Sequence, residues 1–177
     1  MQLRHRNKQK GLTLVEVMST ISIIAVVNAI AGPTLGETIK RNQLRSQADL
    51  VLTSLNLARS EAVKRNQPVS ICRSADGASC DGNWRDGWIV FTNLDADNTF
   101  DNGTDSVIRV YEGLADGHAF YGTVGNDAMT YFSDGSYAGG SDTVKICSED
   151  ADLEHSWTVN INTVGRPRVS KGAASCS

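Results

Sequence analysis

Proline is scarce in this sequence, three residues in 177, and the compact signatures of catalysis are missing. No Gly-x-Ser-x-Gly nucleophile elbow and no phosphate-binding glycine loop occurs, and His118 and His155 stand isolated. Without a nucleophile–base pair the chain reads as no enzyme, and no residue set calls for a cofactor. The four cysteines form no C-x-x-C pair, and no histidine lies at ligand spacing from them, which argues against zinc. No internal repeat is visible. Glycine, by contrast, is plentiful at 16 residues, so many glycine-led turns are expected. A hydrophobic content of 40% suffices for one globular domain, but not for two domains plus an anchor.

Acids are absent from the first eleven residues, where Arg4, Arg6, Lys8 and Lys10 lie. The whole chain carries a formal charge of −3; without those four cations, 13 Lys+Arg face 20 Asp+Glu, giving −7. A domain this acidic is poorly suited to broad binding of nucleic acid or anionic membranes, so any such activity needs a local patch. Cys72, Cys80, Cys147 and Cys176 are an even set in the second half, consistent with disulfides in an oxidising compartment. Three pairings are possible. The preferred one joins Cys72 to Cys80 around Ala75-Asp76-Gly77, and Cys147 to Cys176 near the C-terminus; free buried thiols are the alternative.

Residues 12–31, LTLVEVMSTISIIAVVNAIA, match the length of a helix that crosses a bilayer, and the basic residues before them favour a cytoplasmic N-terminus. A secretory signal would place its cleavage site after the apolar run, and no clear small-x-small site is found there. Glu16 is the anomaly, because an ionisable group inside a membrane segment needs a partner. Gly11-Leu12-Thr13-Leu14-Val15-Glu16 resembles the processing site of type IV pilins and pseudopilins. The resemblance implies cleavage between Gly11 and Leu12 by prepilin peptidase, N-methylation of Leu12, and assembly through Glu16 paired with a terminal amine. It also implies a kinking role for Pro33. Leu12 replaces the commoner phenylalanine, and Ser19, Thr20, Ser22 and Asn28 make the span more polar than a major pilin's; those side chains could bond across helices.

After a break at Gly32-Pro33, Leu44, Ala48, Val51, Leu52, Leu55, Ala58 and Ala62 recur at steps of three and four. They define a second helical segment over about Thr34–Arg65, with Lys40, Arg41, Arg45, Asp49, Arg59 and Lys64 on its polar side. Eight strands are expected beyond Pro68: Val69–Arg73, Trp88–Thr92, Val107–Tyr111, Ala119–Gly122, Met129–Ser133, Thr143–Cys147, Trp157–Ile161 and Arg168–Ser170. The fold class is therefore α+β: a long N-terminal helix, half transmembrane and half amphipathic, packed on an antiparallel β-sheet head. The expected organisation is a leader at 1–11, a transmembrane and assembly helix at 12–33, an amphipathic helix at 34–66 and a β-rich head at 67–177. Gly87-Trp88-Ile89-Val90-Phe91 and Val107-Ile108-Arg109-Val110-Tyr111 resemble the GspH/FimT/FimU branch, whose head is a helix on two sheets.

Two segments suggest further chemistry. Asp95, Asp97, Asp101 and Asp105 have oxygen-rich spacing that could hold calcium, but the EF-hand order is not met, so a solvated turn is the expectation and no metal is assigned. Gly165-Arg166-Pro167-Arg168, with Lys171 close behind, is the one basic cluster of the head. It resembles a G-R-x-R motif of FimT-like pilins that contact DNA. The resemblance implies a minor pilin of the type IV pilus initiation or tip complex. Its partners would be prepilin peptidase, other minor pilins and the major pilin. It would sit in the inner membrane with a periplasmic head, then in the extracellular pilus. Two alternatives stand: a DNA-binding pilin of natural transformation using Arg166, Arg168 and Lys171, and a GspH-type pseudopilin of type II secretion.

Overall fold

The computed structural model describes residues 11–97, 99–114, 118–122, 128–148, 152–173 and 175–176, with side chains for all but 28–35 and 118–122. The chain divides into two compact units at the Ile39–Lys40 junction. Helix α1 spans Leu14–Arg65. The break expected at Gly32-Pro33 does not interrupt it. A proline forfeits one ladder hydrogen bond, and the turns on either side keep theirs. Among the described residues no helix is long and apolar enough to cross a membrane. The apolar run at 12–31 extends into positions whose side chains lie outside that description, as do Asn28 and Pro33.

The helix stops in a way the sequence allows. Asn66 adopts a left-handed φ of 55°, its N–H reaches Val63 O, and Gln67 N–H reaches Ala62 O. These two bonds satisfy carbonyls that the last turn would leave open. Pro68 follows and cannot continue the helix.

Eight strands then form two antiparallel sheets. β1 (Val69–Arg73), β2 (Gly87–Thr92), β3 (Val107–Glu112) and β5 (Ala128–Tyr131) lie in the order β3-β2-β1-β5; β4 (His118–Gly122), β6 (Asp142–Ser148), β7 (Trp157–Ile161) and β8 (Pro167–Lys171) lie in the order β4-β6-β7-β8. Each observed strand coincides with an expected one to within two residues at either end.

Leu44, Ala48, Val51, Leu55, Ala58 and Ala62 are buried on one stripe of α1, in a core with Ile71, Trp88 and Val90 of the first sheet and Val144, Ile146 and Val159 of the second. Each large side chain so buried contributes about 1.5–3 kcal/mol relative to exposure. Strand β2 is buried at every position because both of its faces are covered. Trp88 and Val90 join the helix-side core, while Ile89 and Phe91 form a second cluster with Cys72 and Ala128, flanked by Cys80 and Phe100. The ring of Phe100 stands edge-on to Phe91 at 5.4 Å. The acidic loop after β2 therefore supplies a lid to the first sheet.

Candidate functional site

At the chain's start, the Gly11–Leu12 peptide precedes the first helical residue. Gly11 is exposed with open space about it, and Leu12 is 74% exposed. The bond therefore lies outside the helix. Thr13 caps α1: the Glu16 N–H lies 3.3 Å from Thr13 Oγ1 and 3.1 Å from Thr13 O. The cap fixes Glu16 in the first turn, where a negative charge faces the positive end of the helix dipole. Its carboxylate has no hydrogen-bond or ion-pair partner among the described residues. Leu14, Val15, Met18, Ile21, Ile23 and Ile24 around it are largely exposed, an apolar surface that asks for cover. The hydroxyls that the sequence offered for bonds across helices each donate to a carbonyl of their own helix. Ser19 Oγ donates to Glu16 O, Thr20 Oγ1 to Val17 O, and Ser22 Oγ to Met18 O, each within 2.9 Å. They are satisfied within one subunit.

In the second unit, β7 and β8 are joined by a tight turn. Gly165 N–H donates to Asn162 O at 2.8 Å, Arg166 N–H donates to Asn162 Oδ1 at 2.8 Å, and Gly165 takes a φ of 74°. Arg59, reaching over from α1, donates through Nε to Gly135 O at 2.9 Å and through a terminal nitrogen to Val164 O at 3.3 Å. One guanidinium thus ties the β5–β6 turn to the β7–β8 turn. Sequence reading placed Arg59 only on the polar side of the helix, since nothing local reveals which carbonyls it meets.

Strand alternation then sorts the basic cluster. Val169 packs on the core, so Arg168 and Ser170 point to the outer face of the second sheet, and Lys171 does not share that face. Arg168 is paired in register with Asn160, which is paired in turn with Thr143. Thr143 Oγ1 donates to Asn160 Oδ1 at 3.0 Å, and Asn160 Nδ2 donates to Ser170 Oγ at 3.1 Å. Arg166 and Arg168 line one open cleft of about 680 Å³ with these groups, and Lys171 is not in it. Neither arginine has a side-chain partner among the described residues. Asn160, Thr143 and Ser170 were missed from the sequence as members of this site. The alternation within Trp157–Ile161 is the signal that puts Asn160 on the polar face.

The cysteines pair as Cys72–Cys80 and Cys147–Cys176. The second bridge lays the C-terminal segment over the outer face of β6 and β7, where Lys145 Nζ meets Ser175 Oγ at 3.0 Å and Thr158 Oγ1 donates to Gly172 O. The four aspartates of the β2–β3 loop separate into two roles. Asp105 is buried and accepts the N–H groups of Leu94 and Asp101, which holds the loop shut. Asp95, Asp97 and Asp101 are exposed, with carboxylate oxygens within 4.8 Å of one another. Desolvation and the charges of Asp97, Asp95 and Asp105 raise the Asp101 carboxyl above its ordinary value.

Comparison with known proteins adds the following. The family described as Type II transport protein GspH matches residues 47–165, and the prokaryotic N-terminal methylation motif matches residues 6–31. A search of curated proteins finds no match. Among solved structures, the type IV minor pilin FimU of Pseudomonas aeruginosa (strain PAO1) is similar with a TM-score of 0.64 at 22% identity, covering 77% of this chain and 97% of that one. The minor pseudopilin EpsH from the type II secretion system of Vibrio cholerae is similar with a TM-score of 0.50 at 16% identity, covering 76% and 98%.

Proposed function

The chain belongs to the GspH family and carries the N-terminal methylation motif, and from that premise we propose that it is a minor pilin of a type IV pilus. It is a structural subunit, not an enzyme. Prepilin peptidase cuts between Gly11 and Leu12 and methylates Leu12. The new subunit rests in the inner membrane with its head in the periplasm, then joins other minor pilins and the major pilin in the initiation or tip complex.

The observation that carries this is the first turn of α1: a carboxylate, Glu16, with no partner among the described residues, on a helix whose described apolar side chains around it are exposed. A neighbouring subunit's helix covers such a surface, and a terminal amine, its own or a neighbour's, neutralises the carboxylate. Pairing removes two charges that are each costly in an apolar bundle. Glu16→Ala should leave leader cleavage intact, seen as an unchanged size shift on processing, while lowering recovery of the protein in sheared pili. Recovery at the wild-type level would sink this role for Glu16.

The filament itself is taken from FimU, whose head shares the fold, and from the Cys72–Cys80 loop ahead of Trp88, which resembles pilus-associated members. The alternative is a pseudopilin of type II secretion. Deleting the gene separates them: loss of surface pili with normal secretion supports the pilus, and the reverse assigns the chain to secretion. DNA is the alternative ligand of Arg166 and Arg168. It has less support than the motif alone suggests, because Lys171 lies on the other face of β8 and Asp142 borders the cleft.

A further inference from the structure

We infer that the cleft on the outer face of the β6–β7–β8 sheet binds an acidic sugar unit, a hexuronate of a surface or extracellular polysaccharide, with Arg166 and Arg168 holding its carboxylate. This goes beyond the assembly role and stands whether the filament is a pilus or a secretion pseudopilus.

The site is built rather than incidental. Gly165 approaches Gly135 so closely that a Cβ would lie 2.2 Å from the Gly135 carbonyl oxygen. Arg59 holds both turns from behind, and Asn162 holds the Arg166 backbone. The two arginines are therefore presented on a fixed hairpin, which lowers the ordering cost of binding. Both guanidiniums are exposed and lack an acidic partner among the described residues. Guanidinium and carboxylate match as a two-pronged pair.

The rest of the lining decides between anions. Thr143, Asn160 and Ser170 form a ladder of hydroxyl and amide groups across three strands, suited to the hydroxyls of a pyranose ring. Ile161 and Val169 turn their side chains into the core, so the floor of the cleft is strand backbone. Asp142 also lines the cleft; its carboxylate accepts from the Tyr137 hydroxyl and the Thr143 N–H, and its charge lowers the pull of the cleft on any anion, a phosphate backbone included. Among the described residues no aromatic side chain and no lysine lines it, so bases find no stacking platform there, and two cations are few for a polyphosphate. The volume, about 680 Å³, lies within the range of small-ligand sites.

The test uses the mature full-length protein in detergent micelles, titrated calorimetrically at about 100 mM salt. The probes are hexa-galacturonate, neutral maltohexaose, and single- and double-stranded DNA of about 20 nucleotides per strand. Hexa-galacturonate should bind and maltohexaose should not. Arg166→Gln and Arg168→Gln should each weaken uronate binding by about tenfold or more, and Asn160→Ala should weaken it while leaving the melting temperature in place. The double arginine variant should still enter sheared pili like the wild type, which separates failure of this site from failure of assembly. Absence of uronate binding, or binding unchanged in the double variant, overturns the proposal. So does DNA bound more tightly than hexa-galacturonate and lost in the same variant, which would give the cleft to nucleic acid.

Discussion

Gly165 holds a φ of 74° and lies against the Gly135 carbonyl, so both its conformation and its missing side chain are needed. Gly165→Ala should destabilise the head by about 2 kcal/mol or more, lowering the melting temperature by roughly 4 °C or more. It should also weaken ligand binding by Arg166 and Arg168, because the hairpin must shift to clear the methyl group. A second single-residue effect concerns acid. The Ala78 N–H, then the Ser79 hydroxyl and N–H, hold the Asp76 carboxyl down at about 2. A depressed folded-state value means that Asp76 stabilises the fold above the ordinary carboxyl range, and that this is lost as pH falls through about 2. Melting curves of wild type and Asp76→Asn should therefore differ at pH 6 and converge toward pH 2. A constant gap down to pH 2 would contradict the assignment. Both residues were visible in the sequence as members of turns; which carbonyl or amide each one meets was not.

Among the elements, α1 was the most legible. Its apolar stripe from Leu44 to Ala62 followed from spacing alone, because steps of three and four leave one face to bury. The strands were nearly as legible, since alternation and glycine-rich turns mark them locally. How they divide into two sheets was not, because pairing of distant segments leaves no local mark. The disulfides act on elements too. Cys147–Cys176 closes a separation of 29 residues and Cys72–Cys80 one of 8, so chain entropy predicts about 3.5 and about 2.5 kcal/mol respectively. Cys147→Ser with Cys176→Ser should lower denaturant stability by more than Cys72→Ser with Cys80→Ser. The first pair should also expose Lys145 and Thr158, now covered by the C-terminal segment, to labelling or exchange.

At the scale of the whole molecule, the two ends of the chain serve different ends of its function. In the proposed function, Glu16 and the exposed apolar side chains of the first unit are the parts that neighbours in a filament complete. The Glu16→Ala prediction belongs here, because its readout is incorporation rather than stability. The second unit is acidic apart from local cations, so a polyanion gains little from its overall field. Specific geometry has to do what net charge does not, and the β7–β8 hairpin has that geometry.

By itself the sequence determined the N-terminal methylation motif over residues 6–31, the lone Glu16 within it, the helix stripe, the eight strands and the candidate pair Arg166 and Arg168. All of these are encoded in residue types at short spacing. Only the tertiary structure decided that Arg59 braces the arginine hairpin, that Thr143, Asn160 and Ser170 join it, and that Lys171 does not. Those facts depend on which strands become neighbours and which face each residue takes. Contacts over 76 and 105 residues, such as Arg59 to Gly135 and to Val164, arise only when two sheets close on one helix.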